Sequence, residues 1–244
     1  MSVAFEGIKE DNYRMEHNGH VLQAIRYDRA NTELFPDGYL GKIYQLCRAS
    51  RRRSGDGILT AIFGGNPDSS FESIVSYLAA RPAIVVLGEW TPEGFVEGGF
   101  AFPLLSCGVK PPELAAFCGY GFFKHTWGTE ELQVMAMLGL TYLFQEFGLK
   151  AIHGTRYESN VLTANFLSQF GFKDVGRIPE YQLKDGVLVP AIVSTLLRKD
   201  FEGYVENFLV EQYRAELRAE PEPQIVQQEP EKPKDLPQMS LSWL

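Results

Sequence analysis

Apolar residues are densest between positions 114 and 172, and their spacing changes twice within that stretch. Residues 114–123 (LAAFCGYGFF) read as a strand between Pro111-Pro112 and the polar turn Lys124-His125-Thr126. Residues 130–147 carry no proline, one interior glycine (Gly139) and good helix formers throughout. Leu132, Val134, Met135, Met137, Leu138, Leu140, Leu143 and Phe144 cover every face, the pattern of a helix buried against a sheet. Thr129 is placed to cap it, and Glu130 and Glu131 suit the positive end of its dipole. A short buried strand over 150–155 and a short helix from Asn160 to the Gly171-Phe172 step complete the stretch.

Upstream, residues 3–13 are a polar lead-in and 21–27 a first strand. Leu40, Ile43, Tyr44 and Cys47 predict a helix over 37–50. Arg51-Arg52-Arg53 after it either balances the helix dipole in solvent or meets an anion. Phe71, Ile74, Val75 and Leu78 predict a helix over 69–80, stopped by Pro82. Residues 83–90 and 95–105 flank the turn Thr91-Pro92-Glu93-Gly94, and 175–183 and 187–198 flank Lys184-Asp185-Gly186; both are hairpins. The order predicts an α/β domain of the mixed α+β kind, with a central, mostly antiparallel sheet of about six to seven strands and helices on both faces.

Beyond position 199 the pattern changes again. Phe201, Tyr204, Val205, Phe208, Leu209, Tyr213 and Leu217 predict an additional amphipathic helix over 200–219. From 220 onward, five prolines stand among Glu, Gln and Lys, a composition that cannot bury enough apolar surface to order itself. The segment ends in Leu236, Met239, Leu241, Trp243 and Leu244, so it reads either as a disordered end or as a docking peptide for a partner or a neighbouring subunit. The expected division is a domain over 1–199, the helix over 200–219 and the tail over 220–244.

Bulk properties narrow the function. A net charge of -8 argues against a nucleic-acid or anionic-membrane surface. Cys47, Cys107 and Cys118 are dispersed and form no metal-ligand pair, so no metal is expected and reduced thiols in a cytoplasmic protein are. The first residues lack a signal-peptide layout, and no apolar run approaches a membrane span.

Asn160, then Thr163, the pair Phe166-Leu167, and Gly171-Phe172 eleven and twelve positions on form a spacing that resembles the CoA-proximal helix of the GNAT (Gcn5-related) N-acetyltransferases. The lead-in Arg156-Tyr157-Glu158-Ser159 is similar to the branch that acetylates ribosomal-protein N-termini. The resemblance spans residues 83–198. It implies acetyl-CoA as co-substrate and an amine as acceptor. The pantetheine would pair in sheet fashion along Gly119 to Phe123, with Phe122 and Phe123 among its contacts, and a backbone N–H of that stretch would polarise the thioester oxygen. The diphosphate would lie on Trp127, Gly128, Thr129 and Glu130, at a helix N-terminus. Asn160, with Thr163 beside it, would reach the pantetheine arm or the acceptor.

An alkylamine of pKa about 10.4 is mostly protonated at neutral pH, so transfer benefits from a base. Glu97 and Glu89 are the candidates; strand alternation places Glu97, Gly99 and Ala101 on one face, although both acids also read as solvated edge residues. Tyr120, between Gly119 and Gly121, is either the acid for the leaving thiolate or a core aromatic. His125 either faces an anion or decorates a turn. Two positions depart from the family: Glu130 stands where a small residue is usual, and Leu167 where some members carry a tyrosine acid. Two functions follow: an N-acetyltransferase acting on a protein N-terminus, a lysine or a small amine, or a catalytically degenerate binding and assembly module working through the C-terminal helix and tail. A longer acyl-CoA is a third option, and the extra helix and apolar tip point to a homo-oligomer or a protein partner.

Overall fold

The computed structural model describes residues 12–27, 39–41, 72, 76, 84–104, 115–184 and 187–219. Its strands are β1 (Arg14–His17), β2 (His20–Arg26), β3 (Val85–Thr91), β4 (Gly94–Leu104), β5 (Ala115–Phe122), β6 (Ala151–Tyr157), β7 (Lys173–Lys184) and β8 (Val187–Leu197). The helices are α1 (Glu130–Glu146), α2 (Val161–Gln169) and α3 (Arg198–Ala219). The eight strands form one sheet in the order β1-β2-β3-β4-β5-β6-β8-β7. Only β5–β6 is parallel, because α1 crosses over between them; the other neighbours are antiparallel.

The sheet carries β1 beyond the strands the apolar pattern suggests. Its turn is Asn18-Gly19, with φ of 49° and 79°, the left-handed pair that a two-residue hairpin needs. Asn-Gly is among the strongest short-range hairpin signals, yet β1 is only four residues long and none of it is buried, so residues 14–20 gave no apolar pattern to assign. The expected helices over 37–50 and 69–80 lie almost wholly outside the described residues. Within the first, Tyr39 and Leu40 are helical and buried, and Tyr39 stacks on Tyr27 at 5.5 Å.

Helix α1 is buried without a break from Val134 to Phe144, as its all-round apolar sequence requires. Leu22, Ala24, Val85, Leu87, Ala101, Cys118, Ile152 and Leu196 share its core, so they mark one face of the sheet. Phe100 and Phe102, stacked at 6.0 Å, alternate with Ala101 and belong to the opposite face. The β1–β2 hairpin is tied to both ends of α1: Tyr13 donates to Glu146 at 2.6 Å and Asn18 to Glu130 at 2.7 Å.

The first turns of α3 are core. Phe201 and Val205 are fully buried, and Phe201 stacks on Phe144 at 5.4 Å. The first compact unit accordingly runs to Leu209 and a second begins at Val210; the tail expected over 220–244 lies outside the described residues.

Strand β4 is bulged. Leu87 stands opposite Gly99, but Gly88 stands opposite Glu97, leaving Gly98 as the extra residue. The bulge corrects the expected alternation: Glu97 shares a face with Gly88, opposite to that of Gly99 and Ala101. A Cβ on Gly98 would meet Met135 Sδ of α1 at 2.5 Å, which accounts for glycine there.

Candidate functional site

Strand β5 treats its two neighbours differently. Against β4 it pairs from Phe117 to Phe122. Against β6 it pairs at Ala115, Ala116 and Phe117 only, and beyond Phe117–His153 the two strands diverge. Phe123 donates its N–H to the Gly98 carbonyl at 2.8 Å, which sets the parity of the ladder. Gly121 and Gly119 therefore direct their main-chain groups at β4, while Tyr120 and Phe122 direct theirs toward β6. The Trp127 indole N–H reaching the Phe122 carbonyl at 2.9 Å agrees with that parity. So does Pro103, which lacks an N–H and stands opposite Cys118, where none is required. Residues 118–122 thus edge a V-shaped gap about 17 Å long, at the usual strand rise.

The open end of the V carries the next groups. A short 3-10 turn, Lys124–Thr126, leads into Trp127 and Gly128, whose φ of 81° favours glycine. Trp127 is half exposed, and the space beside Gly128 is open. Thr129 is the N-cap of α1 and accepts from the Leu132 N–H at 3.3 Å. Across the gap, Asn160 caps α2, its side-chain oxygen accepting from the Thr163 N–H at 3.1 Å. Because β5 and β6 run parallel, Phe122, Phe123, Trp127, Gly128, Thr129 and Glu130 gather at the same end of the sheet as Asn160 and Thr163. Phe166 of α2 packs edge-on against Phe122 at 5.8 Å.

The two acids of the first turn of α1 do not face the gap alone. Asn18 donates to Glu130, and His17 Nε2 lies 3.9 Å from the same carboxylate. The backbone N–H of Glu131 itself, assisted by Thr129 and His20, holds the Glu131 carboxyl below the usual range. His20 stands between two carboxylates, Nδ1 at 2.6 Å from Glu89 and Nε2 at 3.6 Å from Glu131. The hydrogen bond to Glu89 raises its pKa above the ordinary histidine value. Glu89 is therefore a partner of His20 at the β2–β3 edge. None of His17, Asn18 and His20 stood out in the sequence; only their place around the Asn-Gly turn links them to α1.

On the sheet face opposite α1, Glu97 lies beside Tyr39, and burial followed by the Glu97 charge raises the Tyr39 phenol. Glu97 is level with the open end of the V, next to the Gly98–Phe123 bond. Tyr120 stands opposite Ala101 in register; its side chain lies outside the described residues. His125 is exposed, its ring 6.2 Å from that of Phe123. Leu167 is buried and lines an apolar cavity of about 20 Å³ with Leu87, Ala101, Phe122, Gly139 and Phe166. At the apex of the V, His153 pairs with Phe117, ring to ring at 5.3 Å, and its Nδ1 lies 2.8 Å from Thr195 Oγ1. Sequence reading passed over His153 because a lone histidine in a strand carries no motif. Among the described residues, no group of three or more His, Cys, Asp and Glu is arranged to hold a metal.

No known family profile matches the chain, and no curated protein matches it in sequence. Solved structures do match. A spermidine N-acetyltransferase from Vibrio cholerae, in complex with CoA and spermine, is 14% identical over 74% of this chain and 97% of its own, with a TM-score of 0.56. Mycobacterium smegmatis RimJ in complex with CoA-disulfide is 16% identical over 80% and 90%, with a TM-score of 0.55. A putative acetyltransferase from Acinetobacter baylyi is 15% identical over 75% and 94%, at 0.54. Likeness at this identity is likeness of fold, and the fold of this chain is that of the GNAT acetyltransferases.

Proposed function

We propose that this protein is an N-acetyltransferase that moves an acetyl group from acetyl-CoA to a primary amine. The observation that carries the reading is the V between β5 and β6, with backbone groups of Tyr120 and Phe122 turned into it and a helix N-terminus at its open end. A gap of about 17 Å is on the scale of an extended pantetheine arm. The Phe122 N–H and the main-chain groups of Tyr120 would pair with the arm's amides as a missing strand would. A backbone N–H would stabilise the thioester oxygen as negative charge develops on it. The diphosphate would take the positive end of α1, on Trp127, Gly128, Thr129 and Glu130. Glu130 accepts from the Asn18 amide and Glu131 lies against His20, so the groups there that suit an anion are the N–H groups of the helix end. Asn160 spends its side-chain oxygen on the Thr163 N–H, so its amide nitrogen is the atom left to meet the arm or the acceptor. CoA in two of the neighbouring structures supports the same assignment.

The acceptor belongs to the amine class, a protein N-terminus, a lysine or a small amine, and a cytoplasmic setting suits that chemistry. Among the described residues no helix is long and apolar enough to cross a membrane. The alternative, a module that binds without turnover, rests on Leu167, which is a cavity wall and donates no proton. Calorimetry with acetyl-CoA on the wild type and on Gly128→Glu tests the co-substrate site, and thiol release in the presence of an amine separates the two readings. The expected result is binding by the wild type and a loss of 100-fold or more, about 2.7 kcal/mol, in the variant. Absence of binding by the wild type would overturn the assignment.

A further inference from the structure

We propose that His153 is the general base of the transfer step and that Thr195 is its positioning residue, a proposal that rests on the acetyl-transfer reading. The argument is one of level and face. If the diphosphate lies at the open end of the V, an arm that fills the gap brings its thioester to the closed end. The closed end is the Phe117–His153 pair, the last at which β5 and β6 stand in register. Glu97 is level with Phe123, at the other end, about six residues or 20 Å away along β5. One group cannot serve both levels.

The face is set by the ladder. Phe117 shares a side of β5 with Gly119 and Gly121, and those stand opposite Phe102 and Phe100, on the sheet face away from α1. His153 is paired with Phe117 and lies on that same face. An amine reaching the thioester from that side passes the imidazole. Phe117, 44% exposed, leaves the ring accessible, whereas the α1 side of the same strands is closed by Cys118 and Ile152.

The ring is also held. His153 and Thr195 stand opposite one another in the β6–β8 ladder, and the Nδ1···Oγ1 distance is 2.8 Å. With Nδ1 engaged there, Nε2 is the nitrogen left for chemistry. The Thr195 hydroxyl can donate to or accept from Nδ1, and the neutral tautomer in which Nδ1 carries the proton leaves Nε2 basic. The described residues in contact with the ring, Phe117 and Thr195, carry no charge; on the same face Lys173 stands opposite Thr195 in the next strand, its amine paired with Asp200 at 3.1 Å.

The step balances simply. Nε2 takes one proton from the incoming ammonium and passes it to solvent. The freed lone pair forms the N–C bond to the carbonyl carbon, the C–S bond breaks with its electron pair on sulfur, and the nitrogen's second proton travels by the ring to the thiolate. No further acid is then needed from the Leu167 position.

The test measures thiol release from acetyl-CoA with spermidine as the amine probe, on the wild type, His153→Gln, Thr195→Val and Thr195→Ser. General-base loss predicts a kcat about 100-fold or more lower in His153→Gln, with calorimetric acetyl-CoA affinity unchanged. The wild-type kcat falls on the acidic side of its pH profile, whereas in His153→Gln the rate follows the fraction of free amine and keeps rising toward the amine's own pKa of about 10.4. Thr195→Val lowers kcat and Thr195→Ser restores it. A His153→Gln variant that melts like the wild type and retains its kcat overturns the role of His153 alone. A wild type that binds acetyl-CoA yet releases no thiol with spermidine, with a lysine peptide or with a free peptide N-terminus overturns it too, and one that does not bind removes the reading beneath it.

Discussion

The two sides of β5 make the most instructive comparison in the molecule. Toward β4 the ladder runs six pairs, Phe117 to Phe122, and Phe100, Phe102 and Phe123 pack over it. Toward β6 it runs three, and the remaining length has no strand opposite. The first side is ordinary sheet, in which each backbone group has a partner and aromatic burial supplies the stability. The second is a sheet with a place left for a strand. One edge of these eight residues is therefore paired from Phe117 to Phe122, and the other is left open over most of its length.

That division can be broken first where it is strongest. Phe100 is fully buried between Phe102 and Phe123, and Phe100→Ala should cost about 3–5 kcal/mol in urea unfolding, as large aromatic deletions do. A loss under about 1 kcal/mol would mean that the β4–β5 edge is not the stabilising one. Next comes the bulge. In Gly98→Ala the new methyl meets Met135, whose flexible side chain can yield at a cost of about 1–3 kcal/mol. Co-substrate affinity should hold, because the β5–β6 gap is untouched; lost affinity with full stability would place the bulge in the site.

The smallest effect lies at the mouth of the V, in the contact of His20 with Glu89 and Glu131. His20 has a raised folded pKa, so its contribution is fully present below the ordinary histidine value and fades as pH rises through the folded one. Glu131 has a lowered one, so its contribution is present above the ordinary carboxylate value and fades as pH falls through the folded one. The difference in melting temperature between the wild type and His20→Gln should be greatest at about pH 5–6 and shrink by about pH 9. A difference constant across that range would show the histidine to be uncharged in the contact.

How much of this was legible depends on the range of the signal. Helix α1 was, because Val134 to Phe144 is apolar on all sides and such a helix has one environment open to it. The β3–β4 and β7–β8 hairpins were, because Pro92, Gly94 and the Asp185-Gly186 step act within a few residues. The face of Glu97 was not, since one inserted residue reverses alternation and only pairing with β3 reveals the insertion. The core role of α3 was half visible: Phe201 and Val205 were read as an apolar stripe, but that the stripe seats against Phe144 is a contact between residues far apart in the chain. His17 and His20 likewise meet Glu130 and Glu131 from a distant segment, through the packing of the β1–β2 hairpin against α1.

Sequence alone determined helix α1, the two turn-marked hairpins and the GNAT resemblance, because propensity, periodicity and turn chemistry are local and add up along the chain. Tertiary structure decided where the sheet parts, which residues stand at the two ends of the gap and which face each presents. Those properties belong to strand register, and register depends on how side chains from separate segments share one core.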